Sequence, residues 1–201
     1  MGEYKVIPSE MKRAVFLDRD GVLNELIINH QTNDYEPPHV PEDLILFPYT
    51  VEILQILQEA QFELFLLSNQ PDYAKGKTTL ENLKKVHAKL DRILRSEGIH
   101  FREYYYCYHH SQGKVPEYSF ECECRKPKPF FILMATMHYS LDLSNSWMVG
   151  DRDSDIDCGK AAGIKTIMIE NPQSSKYRGS SQPDFTAANL KDALQIILPK
   201  K

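Results

Sequence analysis

The chain has 201 residues, 42% of them hydrophobic and 26% charged, which suits one soluble globular domain spanning residues 1–201. Twenty-four basic against 28 acidic side chains leave a net charge of −4, which argues against a broadly basic nucleic-acid binder. Nine glycines, 12 prolines and only four cysteines exclude a collagen-like chain, a disordered chain and a disulfide-dense scaffold.

The opening stretch, MGEYKVIPSEMKRAVFLD, has no apolar run of signal-peptide type. Gly2 invites N-myristoylation, but Val6 stands where Ser or Thr belongs. No segment approaches the roughly 20 apolar residues of a membrane span, so a cytoplasmic protein with no membrane partner is expected. Ala14 to Leu17 is a short continuous apolar run, as in a strand buried on both faces. Val51, Leu54, Leu57 and Ala60 recur at helical spacing, with Thr50 as the expected N-cap. Phe62 to Leu67 is a second strand. Leu80, Leu83, Val86, Leu90 and Leu94 mark a second helix, with Gly98 at its C-terminal cap. Tyr104 to Tyr106 is a further strand candidate. Pro129 can start a helix through Ile132, Met134 and Met137. Trp147 to Val149 reads as strand, Ile156 to Ala162 as a helix closed by Gly163, Thr166 to Ile169 as strand, and Leu190 to Leu198 as a last helix.

Strands alternating with helices predict an α/β fold, a Rossmann-like parallel sheet covered by helices on both faces. Ligands of such sheets bind at the carboxyl ends of the strands. Asp18-Arg19-Asp20-Gly21 follows the first strand, Ser68-Asn69-Gln70 the second, and Gly150-Asp151-Arg152 the Trp147 strand, with Asp153 and Asp155 just beyond. Arg125-Lys126-Pro127 precedes the Pro129 helix. Each alone has an ordinary reading as a turn, cap or solvated pair. Together, at one edge of one sheet, they point to a site.

Cys107-x-His109 and Cys122-x-Cys124 supply a second constellation. Three thiolates and an imidazole suit tetrahedral Zn²⁺. The pairs are spaced more tightly than in a zinc finger, and His110 competes with His109. The loop over 107–124 has little apolar content, so a metal would supply order that a core cannot. Four protein ligands imply a structural site. Cys158 lies on the Ile156 helix and reads as a core thiol. The other histidines read as isolated surface or core residues.

AVFLDRDGVLNE, LLSNQ, RKPKP and MVGDRDSDI, in this order, resemble the four motifs of the haloacid dehalogenase-like (HAD) phosphatases. The resemblance covers about residues 13–195. It implies Mg²⁺-dependent phosphomonoester hydrolysis through an aspartyl-phosphate. Asp18 is then the nucleophile and Asp20 the general acid and base, with Ser68 and Lys126 on the transferring phosphoryl group. Mg²⁺ is held by Asp18, Asp151 and Asp20, the last through its backbone carbonyl. Asn69, Arg125 and Arg152 map onto substrate contacts. Asp155 supports the metal, and Asp153 reads as the N-cap of the next helix. The Cys/His loop resembles the zinc-loop subgroup, whose members act on heptose bisphosphate and histidinol phosphate. The implied partner is thus a small phosphorylated sugar or similar metabolite, and a monomer is expected.

Two departures stand out. The second motif usually continues Ser-Gly, where this chain has Pro71-Asp72, and the segment 26–42 is longer than the resemblance leads one to expect. Both lie on the leaving-group side. Neither insertion is large enough for a cap domain, so specificity falls to loops 26–42 and 108–121. A non-catalytic zinc-loop binding module is the alternative of a different class; it would leave the carboxylates dispensable.

Overall fold

The computed structural model describes residues 11–199, so Gly2 and Val6 lie outside the described residues. Six parallel strands form the main sheet: β1 (Ala14–Leu17), β4 (Glu63–Asn69), β5 (Phe101–Cys107), β6 (Trp147–Gly150), β7 (Lys165–Ile169) and β8 (Phe185–Ala187). Their spatial order is β5-β4-β1-β6-β7-β8. A separate antiparallel ribbon pairs β2 (Ile27–Asn29) with β3 (Asp34–Glu36).

The helices are α1 (Thr50–Glu59), α2 (Leu80–Ser96), α3 (Phe130–Tyr139), α4 (Asp153–Ala162) and α5 (Leu190–Ile197). Strand alternation divides the core between two faces. Val15 and Leu17 of β1 join Leu64, Leu66, Ile53, Leu90 and Leu194 on the face covered by α1, α2 and α5. Ala14 and Phe16 join Phe65, Leu67, Ile132, Ala135 and Cys158 on the face covered by α3 and α4. The expected core thiol is therefore in a core.

Several boundaries differ from the sequence reading. The second strand runs on through Asn69, so Ser68 and Asn69 end β4 rather than follow it. Thr50 is the first residue of α1, not its cap. It is fully buried and its hydroxyl donates to the Leu23 carbonyl (2.8 Å), fastening α1 to the turn after β1. Asp153 is likewise inside α4, after an Arg152 cap. Its carboxylate accepts instead from Ser180 and Ser181, holding the 179–181 loop. Met137 does not belong to the buried face of α3, being 83% exposed. The 26–42 segment is not simply a loop, since it contains the β2–β3 ribbon and a turn of 3-10 helix. Among the described residues no helix is long and apolar enough to cross a membrane.

Candidate active site and metal centres

Strands β1 and β6 are neighbours in register, Leu17 beside Val149. The residues that follow them, Asp18 and Asp151, therefore emerge side by side, tied by the Asp18 amide donating to the Val149 carbonyl (2.9 Å). Asp155 joins them from the first turn of α4, where its Oδ2 accepts from the Arg152 amide (3.0 Å). One oxygen from each of the three lies within 4.8 Å of the others, and all three residues are buried. Lys126 enters the cluster from the opposite side. Its Nζ lies 3.0 Å from Asp18 Oδ1 and 2.6 Å from Asp155 Oδ1, and donates to the Leu67 carbonyl (2.6 Å). Burial opposes the ammonium charge, but Asp155 and Asp18 outweigh it and hold Lys126 above the ordinary lysine range.

This constellation is short of positive charge. Burial, and then the charge of Asp18, push Asp151 up to about 8. Neither oxygen of its fully buried carboxylate has a hydrogen-bond partner among the described residues. Orphaned hard oxygens beside a second carboxylate fit a small divalent cation such as Mg²⁺, which takes few protein carboxylates and keeps other positions for water and phosphate. Gly21, at φ +84°, makes room: a Cβ there would collide with the Asp151 carboxylate.

The carboxylate of Asp20 is not part of the cluster. It accepts from Arg19 Nε and Nη2 (2.9 and 3.0 Å), from Asn24 (3.1 Å) and from Gln70 (2.6 Å). Gln70 also donates to Ser68 Oγ (3.0 Å). Arg19 and Gln70 were passed over in the sequence. Both are 1% exposed, and together they fix the Asp20 carboxylate and the Ser68 hydroxyl in one network. Asn69 has a mainly internal task. Its side chain donates to the Lys126 carbonyl (3.0 Å) and accepts from the Lys126 amide (3.2 Å), so the end of β4 holds the backbone that delivers the lysine.

These groups open onto a cavity of about 370 Å³. Arg125, Arg152 and Lys75 line it beside the carboxylates. Arg152 lies over the Tyr177 ring (4.1 Å), and its Nε has no hydrogen-bond partner among the described residues. Burial, and repulsion from Lys77, Arg125 and Arg152, outweigh the attraction of Asp72 and hold Lys75 below the ordinary lysine range. Strand β3 of the ribbon lines the cavity through Asp34, Tyr35 and Glu36. Glu36 pairs with Lys77 and accepts from Asn29 (3.1 Å), and Asp34 pairs with Lys176. His39 is not isolated: its Nε2 meets Asp72 Oδ2 at 2.7 Å. His87 is not isolated either, its Nδ1 lying 3.2 Å from the Tyr106 hydroxyl.

The second constellation closes beside the first. Cys107 ends β5 and meets Cys122 Sγ at 3.5 Å; Cys124 meets Cys122 Sγ and His109 Nδ1 at 3.4 Å each. A tetrahedron with zinc–sulfur bonds of about 2.3 Å has edges of roughly 3.8 Å, so the set is sized for zinc. Between the competing histidines the geometry selects His109. His110 instead accepts from the Gln112 amide (3.1 Å) and lines the cavity. Arg125 Nη1 donates to the His109 carbonyl (3.2 Å), coupling the loop to the cavity wall.

A parallel sheet carrying this carboxylate pair, a buried lysine and the four-motif order defines a HAD-family phosphatase, and comparison with known proteins agrees. The HAD-hydrolase-like family profile matches residues 123–193. D-glycero-beta-D-manno-heptose-1,7-bisphosphate 7-phosphatase of Pasteurella multocida is 32% identical over 93% of this chain and 97% of its own length. The enzyme of the same name from Vibrio cholerae is 32% identical over 94% of this chain and 98% of its own. The chain belongs to the HAD phosphatase family that contains these enzymes. Among solved structures, D,D-heptose 1,7-bisphosphate phosphatase from B. bronchiseptica, complexed with magnesium and phosphate, superposes with a TM-score of 0.75. It is 23% identical, over 92% of this chain and 98% of that one. A putative HAD-like phosphatase from Mesorhizobium loti gives 0.74 at 25% identity, over 93% and 86%.

Proposed function

We propose that this phosphatase removes the 7-phosphate of D-glycero-D-manno-heptose 1,7-bisphosphate, with Mg²⁺ at Asp18, Asp151 and the Asp20 carbonyl and structural Zn²⁺ at Cys107, His109, Cys122 and Cys124. The observation that carries the reading is the buried cluster of Asp18, Asp151 and Asp155 with Lys126 against it, of which Asp18, Asp155 and Lys126 reach a cavity that Arg125 and Arg152 also line. Bound Mg²⁺ would neutralise the phosphate and leave its phosphorus open to attack.

The residues then divide the chemistry. Asp18 attacks phosphorus in line, forming an acyl phosphate as the sugar oxygen leaves. Asp20 gives that oxygen a proton, then takes one from the water that cleaves the acyl phosphate, restoring Asp18. Lys126 and Ser68 meet the charge that develops on the phosphoryl oxygens. Arg125, Arg152 and Asn69 face the rest of the substrate, whose size suits a cavity of about 370 Å³. The reading includes a monomeric single domain over 1–201, in the cytoplasm, acting on a small phosphorylated sugar and on neither nucleic acid nor membrane.

The test begins with p-nitrophenyl phosphate, with and without Mg²⁺. Turnover should require the metal, and Asp18→Asn should abolish it with the fold intact. Undiminished turnover in that variant would remove Asp18 from the mechanism. A kcat/KM panel of both anomers of heptose 1,7-bisphosphate, histidinol phosphate and fructose 1,6-bisphosphate then tests the substrate. Preference for histidinol phosphate would overturn it.

A further inference from the structure

Part of the cavity wall is built by Pro71, Asp72 and Lys75, in the segment that follows β4. There the second motif carries Pro71-Asp72, where the resemblance in sequence leads one to expect Ser-Gly. Asp72 is 4% exposed yet lines the cavity. A buried carboxylate is unfavourable unless it is partnered, and here a partner comes from a distant segment. His39 Nε2 donates to Asp72 Oδ2 (2.7 Å), and Thr78 Oγ1 donates to the His39 carbonyl (3.0 Å). Lys77 pairs with Glu36 on β3, and its own amide donates to the Asp72 carbonyl (2.8 Å). The 71–78 loop and the 34–39 segment are thereby joined at several points, so the wall is built before substrate arrives.

Asp72 Oδ1 makes no hydrogen bond to the described residues. Burial raises the Asp72 carboxyl, but the bond from His39 and the charges of Lys77 and Lys75 outweigh it, so Asp72 is ionised at neutral pH. With these positive groups already around it, the carboxylate is poorly placed to select a free cation. It is well placed to accept from hydroxyl groups, which a sugar leaving group carries in number.

We propose that Asp72 is a specificity-determining residue that accepts a hydroxyl of the sugar leaving group through Oδ1, and that His39 is the positioning residue that orients it. This rests on the sugar-phosphate reading above. It gives a role to a buried acid on the cavity wall: the site recognises the polyol part of the substrate directly, apart from the phosphate being transferred.

The experiment compares heptose 1,7-bisphosphate with p-nitrophenyl phosphate, which has no hydroxyl to offer. Asp72→Asn keeps the shape of the side chain. It should lower kcat/KM on the bisphosphate about ten- to hundredfold, mainly through KM, as expected for a lost charge-assisted hydrogen bond. Turnover of p-nitrophenyl phosphate should stay within about twofold. His39→Ala should move KM in the same direction, His39→Gln should restore it in part, and the double variant should be no worse than Asp72→Asn alone. Equal losses on both substrates would make the pair merely structural and overturn the proposal, as would an unchanged KM on the bisphosphate. A wild-type enzyme that hydrolyses p-nitrophenyl phosphate but no sugar phosphate would sink the substrate reading and this inference together. Bisphosphate turnover that Asp72→Asn leaves untouched sinks only the inference.

Discussion

Arg19 sits between two aspartates, and the sequence assigns it no role of its own. The fold turns it inward, where it is 1% exposed and makes a two-point contact with Asp20. Burial opposes its charge, but Asp20 more than compensates, so the guanidinium stays ionised. Asp18, Asp20, Ser68 and Asp151 were legible as polar residues at strand ends, and Lys126 as a charge just before the Pro129 helix. Arg19 and Gln70 were not, because their place is set by contacts with Asp20 and Ser68 that the fold creates and no local pattern announces. Removing one partner of a buried ion pair leaves the other uncompensated. Arg19→Met should therefore cost about 3 kcal/mol in urea unfolding. Its kcat should fall more than its KM changes, because Asp20 loses orientation while the phosphate contacts remain. A variant as stable and as fast as wild type would show that Gln70 and Asn24 suffice.

The zinc loop and the β2–β3 ribbon show which elements a sequence reveals. The loop's ligands are chemically distinctive and sit in two tight pairs, so the cluster could be read directly. The ribbon's strands have three residues each, with no Asn-Gly turn to announce them. Its one local sign is Asn33, at φ +57°, just before Asp34. What holds it are pairs with remote residues, Glu36 with Lys77 and Asp34 with Lys176, which no local pattern shows. For α3 the helix was visible but its buried face was not, because apolar residues surround it and the outward Met137 looks like the inward Ile132. The zinc loop also makes a mechanical claim on the site. Cys124 is two residues from Lys126, so disorder in the loop should reach the lysine. Cys122→Ser, or zinc removal by a chelator, should lower the thermal midpoint and reduce kcat/KM on p-nitrophenyl phosphate about tenfold or more, with recovery of the chelated wild type on adding zinc. Intact activity and an unchanged midpoint after verified zinc loss would reject a structural role.

At the scale of the molecule, the doubly covered sheet was legible because its central strands are apolar on both faces, and the carboxyl-edge rule then pointed to the candidate site. The long-range charge pairs were not legible, and they also set the response to acid. Asp184 is an example at the sheet's edge. Its Oδ2 accepts from the amide and hydroxyl of Thr166 on β7 (2.8 and 2.9 Å), Oδ1 pairs with Lys160 on α4, and its amide donates to Thr166 Oγ1 (3.0 Å). One side chain thus ties the approach to β8 to both a neighbouring strand and a helix. Burial raises its carboxyl, but the bonds from Lys160 and Thr166 outweigh it and hold Asp184 below the ordinary carboxylate range. A depressed folded-state value means that the unfolded chain takes up the proton first as pH falls. The contribution is therefore complete above the unfolded value of about 3.9 and is lost as pH drops through the lower folded value. Asp184→Asn keeps the shape and removes the charge. At pH 7 it should be less stable than wild type by about 1 kcal/mol, a modest loss for a partly exposed site. Urea unfolding between pH 7 and pH 2.5 should show that gap closing only below about pH 4, as wild type loses what the variant never had. A gap that stays constant into acid would assign the effect to packing of the β8 edge rather than to the charge of Asp184.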